Sequence, residues 1–87
     1  MKQFNLDDEN EVNDFIETYG TAKGIRLANA LGITGKGAKE RANALSAYAW
    51  NKHTAMSLRL KGAINGALAY EGICDRIWSR MDPRDQW

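Results

Sequence analysis

Apolar side chains recur at helical spacing through most of this sequence, and the gaps in the recurrence mark the element boundaries. Val12, Phe15, Ile16 and Tyr19 fall at i, i+3, i+4 and i+7 ahead of Gly20, which predicts a first helix over residues 8–19. Asp8 followed three residues later by Glu11 is the pattern of an N-cap with a reciprocal carboxylate. Thr21 is the expected cap of a second helix over 22–31, which carries Ile25, Ala28 and Leu31 on one face. Gly32 then supplies the left-handed residue that ends it, with Ile33 folding back as the apolar contact. Thr34-Gly-Lys-Gly37 reads as a flexible connector, after which Ala38, Ala42, Leu45 and Ala49 mark a third helix with a small-residue face.

From residue 56 onward, positions 56, 60, 63, 67, 70, 74, 77 and 81 hold Met, Leu, Ala, Ala, Tyr, Cys, Ile and Met. These alternate steps of four and three without a miss and predict a long C-terminal helix ending just ahead of Asp82-Pro83. Gly62, Gly66 and Gly72 inside it each cost about 1 kcal/mol relative to Ala, so each is expected to have a packing reason. Traced backwards, the seam meets the polar Lys52 and His53 before Ala49 and Leu45 resume it. Either residues 51–54 form a turn and the chain folds into a helical hairpin, or one helix runs from 38 to 81 over roughly 65 Å. The hairpin is preferred, because so long a rod cannot bury its seam within a chain of this size. The expected fold is all-α: a single domain over 1–87, a small bundle of three to four helices with a long C-terminal helix or helical hairpin.

Composition agrees. The 87 residues include one Pro, and Ala, Leu, Arg and Lys dominate over β-branched types, which favours helix throughout. At this length many chains complete their core with a second copy or a partner, so a homodimer is one expectation. The single Cys74 excludes an internal disulfide and a multi-cysteine zinc site, and suits a reducing compartment. The N-terminus shows no leader-like apolar segment, and no stretch approaches the length of a membrane span. A soluble, cytoplasmic protein without membrane contact is expected.

Net charge is only +1, but it is unevenly spread. Residues 1–20 carry six acids against one Lys, a balance of −5. Residues 21–66 carry eight cations against Glu40 alone, a balance of +7. Much of the acidic excess lies in the first turns of the first helix, where it complements the helix dipole and needs no partner. The basic excess has no such local reason and points to an anionic partner. It resolves into two candidate contact patches: Lys36, Lys39 and Arg41 around the start of the third helix, and Lys52, Arg59 and Lys61 around the expected hairpin turn.

Three constellations carry candidate chemistry. The stretch 27–34 reads as the first helix and turn of a helix-turn-helix, but Arg41 stands where the second helix should pack an apolar residue. Thr34-Gly-Lys-Gly-Ala-Lys39 sets glycines and lysines at a helix N-terminus, suited to a phosphate or carboxylate but lacking the spacing of a nucleotide-binding P-loop. Tyr48 and Trp50 interleave with Lys52, His53 and Arg59, the mixture that stacks on bases or anchors a protein partner. His53 stands without a second ligand and is expected at a turn or interface. Glu71 and Asp75, with Arg76 and Arg80 close by, read as surface ion pairs. No catalytic residue, metal site or cofactor is implied.

Residues 60–87 contain Leu60-Lys-Gly62, Ile64, Ala67-Leu68, Tyr70-Glu71, Cys74-Asp75-Arg76-Ile77-Trp78, Met81-Asp-Pro83 and Trp87. This pattern resembles the C-terminal part of small helical accessory proteins encoded by bacteriophages and prophages. The resemblance implies a non-enzymatic protein that binds host machinery stoichiometrically, including CRISPR effectors and other defence complexes. The expected partner is therefore a host protein or protein–nucleic-acid complex, with direct nucleic-acid contact as a further possibility. The alternative function is a helix-turn-helix regulator that binds DNA.

Overall fold

Several helix ends in this chain have a local chemical cause. In the computed structural model, which describes residues 4–86, the elements are α1 (Glu9–Tyr19), α2 (Gly24–Leu31), α3 (Ala38–Leu60), α4 (Ile64–Arg80) and a 3₁₀ turn (Pro83–Asp85). Trp87 lies outside the described residues. The fold is a small all-α bundle, with no strand among the described residues. Asp8 caps α1 as expected, its Oδ1 accepting from the Asn10 amide at 2.8 Å. The reciprocal half of that cap does not form: the Asp8 N–H donates to the Asn5 carbonyl at 2.9 Å, and Glu11 Oε2 is buried without a partner. Nor does Thr21 cap α2, which starts three residues later, its Gly24 amide donating to Asn43 Oδ1 on α3 at 3.0 Å.

Gly32 ends α2 with φ 74°, and the Ile33 amide reaches back to the Ala28 carbonyl at 2.9 Å. The same closure recurs at Gly62, where φ is 81° and the Ala63 amide donates to the Leu58 carbonyl at 2.9 Å. Both are helix stops built on a left-handed glycine. The second one corrects the expected hairpin. A hairpin forms, but its turn occupies 61–63, and residues 51–54 are helical. Two of their polar side chains bond within the helix, Asn51 Nδ2 to the Ala47 carbonyl at 2.7 Å and Thr54 Oγ1 to the Trp50 carbonyl at 2.9 Å. Satisfied four residues back, they do not interrupt the helix. The seam also required revision: Ala67, Cys74 and Met81 are buried, whereas Leu60 and Ala63 stand in solvent.

Of the three glycines, Gly62 makes the turn, and Gly66 lets α4 approach α3, since a Cβ there would lie 3.2 Å from Leu58 Cδ1. Gly72 has no packing reason, because a Cβ would meet nothing within 4 Å.

All three other helices pack on α3. Phe15, Leu6, Leu27, Leu31, Leu45 and Val12 are fully buried in one cluster, each side chain of this kind contributing about 1.5–3 kcal/mol by leaving water. Phe4 meets Phe15 and Tyr19 edge-on, with centroids 5.4 and 5.9 Å apart. On the other side of α3, Tyr48 packs against Trp78 of α4 at 5.2 Å. The core lies toward one end. Beyond Met56 only α4 accompanies α3, and the molecule extends to 41 × 24 × 18 Å as the hairpin projects.

Candidate binding surface

α3 starts behind Gly37, whose φ of 80° suits glycine, and no side chain caps it. The Ala38 amide donates to the Gly35 carbonyl at 3.3 Å and the Arg41 amide to the Gly37 carbonyl at 2.9 Å, which leaves the amides of Lys39 and Glu40 as the ones a helix start exposes. Around this end the chain gathers cations from three places. Lys39 lies against the start of α2, its Cγ 3.7 Å from where a Cβ on Gly24, the residue after Lys23, would sit. Lys36 comes from the connector. Arg80, from the last turn of α4, lines with Lys36 an open groove of about 420 Å³.

The groove contains two further arginines that are already matched. Arg41 donates through Nε and Nη2 to both oxygens of the buried Asp85, each at 2.8 Å, and that hydrogen bonding, with the charge beside it, raises the guanidinium pKa. Arg84 makes a similar fork with Asp82 at 2.9 and 2.7 Å, which drives the Asp82 carboxyl far below its ordinary range. Lys36 and Arg80 form no ion pair among the described residues. The groove presents these two charges together with Glu40, the one lining acid that also forms no ion pair among the described residues.

The remaining expected contact residues do not form one surface. Tyr48 is core: only 4 % of it is exposed, its hydroxyl donates to Asp7 Oδ1 at 3.3 Å, and burial pushes its pKa up. Trp50 keeps one exposed face, while its indole N–H donates to the Gly20 carbonyl at 3.2 Å and its ring meets His53 edge-on at 5.9 Å. Lys52 sits mid-helix, 3.8 Å from Asp7. Arg59 forks onto Glu71 of α4, one oxygen at 2.8 Å, and thereby lowers the Glu71 pKa. Lys61 alone stands at the hairpin turn. The second expected patch is therefore dispersed along α3, over roughly 13 Å from Lys52 to Lys61. Glu71 is ion-paired as expected, but across the hairpin to Arg59 rather than with Arg76 or Arg80.

Sequence reasoning missed Arg80. The balance of residues 67–87 is −1, which concealed it. Three of the four acids there are taken by Arg59, Arg41 and Arg84, two of them over 12 and 44 residues of sequence. Among the described residues no three His, Cys, Asp or Glu side chains gather to hold a metal ion, and no helix is long and apolar enough to cross a membrane. Comparison with known proteins finds no matching family model, no matching curated protein and no matching solved structure.

Proposed function

We propose that this chain is a small non-enzymatic binding protein that acts stoichiometrically, occupying an anionic surface of a host protein or protein–nucleic-acid complex. The contact is made by the cationic end of α3, with Lys36 and Arg80 across the groove and Lys39 and Lys23 beside it. The observation that carries this reading is the division of charge within one groove: Arg41 and Arg84 have their own carboxylates, whereas Lys36 and Arg80 have none and outnumber Glu40, the one lining acid without an ion pair. Unpaired cations gathered at one end of the molecule attract anions at range. An inhibitor of a defence complex, as the resemblance of residues 60–87 suggests, is one protein of this kind.

The helix-turn-helix alternative is less well supported. The connection between α2 and α3 spans six residues, longer than the three or four of that motif. Arg41 and Asn43, near the start of the would-be recognition helix, are held by Asp85 and the Gly24 amide.

The test is capture from bacterial lysate at low salt, with and without nuclease, comparing the wild-type chain with Lys36→Glu/Arg80→Glu. A stoichiometric, nuclease-resistant complex that the double variant loses is the expected result. Capture abolished by nuclease reassigns the target to nucleic acid. Equal capture by both chains, or none by either, contradicts the reading.

A further inference from the structure

The cationic groove does not end at Arg80. That side chain also borders a second recess of about 330 Å³, whose other lining residues are Ile73, Arg76 and Ile77, so the two hollows meet along α4. These four residues follow at steps of three, one and three and share one flank of the helix. Ile73 and Ile77 are half-buried, and Ile77 packs against the core. Arg76 and Arg80 are exposed one turn apart, and neither forms an ion pair among the described residues. On the groove side the apolar lining continues in Ala44 and Met81.

This lining discriminates among anions. A nucleic acid is held by charges on its phosphates and, where single-stranded, by rings that stack on its bases. Isoleucines make up half of the second recess, and among the described residues no aromatic side chain lines either hollow. Glu40, unpaired, lines the groove, where it repels a dense run of phosphates but can accept a hydrogen bond from a peptide N–H. Aliphatic side chains beside guanidinium groups match a protein segment instead, whose apolar anchor leaves water while its carboxylates meet the cations.

We infer that the partner enters this trough with a short acidic protein segment carrying an aliphatic anchor. Leu, Ile, Val or Met of the partner sits against Ile73 and Ile77, and carboxylates flanking it pair with Arg76, Arg80 and Lys36. The inference rests on the proposed function, since it takes the cationic groove as the contact, and it names the chemistry of what binds there. Long-range attraction then belongs to the groove, and selection among anions to the recess.

Selection from a random-peptide library displayed on phage, at about 0.15 M salt, tests it without assuming a target. The expected result is enrichment of peptides in which an aliphatic residue lies close to two or more acids. A synthetic copy of an enriched peptide should bind the Ile73→Ser chain about tenfold more weakly, while elution of that variant from heparin stays at the wild-type salt concentration. If Ile73→Ser loses helicity by circular dichroism, replacing the aliphatic residue of the peptide by Ser carries the test on the wild-type chain, with the same loss expected. Enriched peptides that are acidic but lack an aliphatic residue, or that bind equally well after either replacement, overturn the inference and leave the cationic groove standing. Enriched peptides without acids, or peptides bound undiminished by Lys36→Glu/Arg80→Glu, overturn the groove reading as well. Failure to enrich any peptide overturns the inference, and retention of an oligothymidylate under the same conditions then assigns the groove to nucleic acid.

Discussion

Leu45 and Leu60 lie on the same helix within about 60° of one another around its axis, yet Leu45 is fully buried and Leu60 is 80 % exposed. The difference is what stands beside α3 at each level. Toward its N-terminus α3 meets α1, α2 and the tail after α4, and the apolar groups are spent inside. Toward its C-terminus it meets only α4, held close by Ala55, Gly66 and Ala67, and the aliphatic side chains remain outside. Charge is distributed the other way: the covered end presents Lys36, Lys39 and Arg80 against Glu40, whereas at the tip Arg59 is consumed by Glu71 and Lys61 alone is left. A helix long enough to outrun its neighbours thus acquires two poles, one cationic and one apolar.

Truncations inside the body should break this contrast most severely. Phe15→Ala removes a ring that touches Phe4 and Tyr19, and about 3–5 kcal/mol of unfolding free energy should go with it. Leu60→Ala, an equally apolar change at the tip, should move the urea midpoint of the monomeric chain by no more than about 0.5 kcal/mol equivalent.

The ion pairs should repeat the pattern on a smaller scale. Arg41→Ala leaves Asp85 buried without its fork, and about 2 kcal/mol should be lost in urea denaturation. Arg59→Ala breaks an equally well-formed fork, but at the surface, and should scarcely shift the midpoint.

Backbone changes sharpen the comparison further. Gly62→Ala should cost about 1 kcal/mol, because an L side chain resists φ near +81°. Gly72→Ala should stabilise by about 0.5–1 kcal/mol, since that helical position has open space for a Cβ. Thermal unfolding of the two variants should therefore move in opposite directions.

These same positions show why the sequence was legible in some places and misleading in others. Gly32 was readable because the apolar repeat stops there, whereas the repeat through 56, 60, 63 and 67 keeps its step across the turn at 61–63 and disguises Gly62. Polarity at 51–54 suggested a break, but Asn51 and Thr54 bond to their own helix. The first basic patch was partly visible in Lys36 and Lys39. Arg41 attracted notice as an apolar slot filled by a cation, and its explanation, Asp85, lies 44 residues away. Pairings over that distance are properties of the fold, and no block sum of charge reveals which cations they leave free.

The smallest expected effect is with pH. Arg59 lowers the Glu71 pKa in the folded chain, so the stability contributed by that pair is complete above the ordinary Glu pKa. It is lost as pH falls through the lowered folded-state value. Hydrogen exchange should accordingly show the amides flanking 59–71 loosening in acid before those of α1 and the N-terminal half of α3.

The claim that one pole of α3 carries the functional charge is tested most directly by elution from heparin, a sulfated polyanion, using two variants with the same change in net charge. Lys36→Glu/Arg80→Glu reverses the cationic pole, and Lys52→Glu/Lys61→Glu reverses two cations nearer the tip. The account predicts that the first variant fails to bind at low salt while the second elutes close to the wild-type chain. Equal loss in the two variants, or the greater loss in the second, contradicts it.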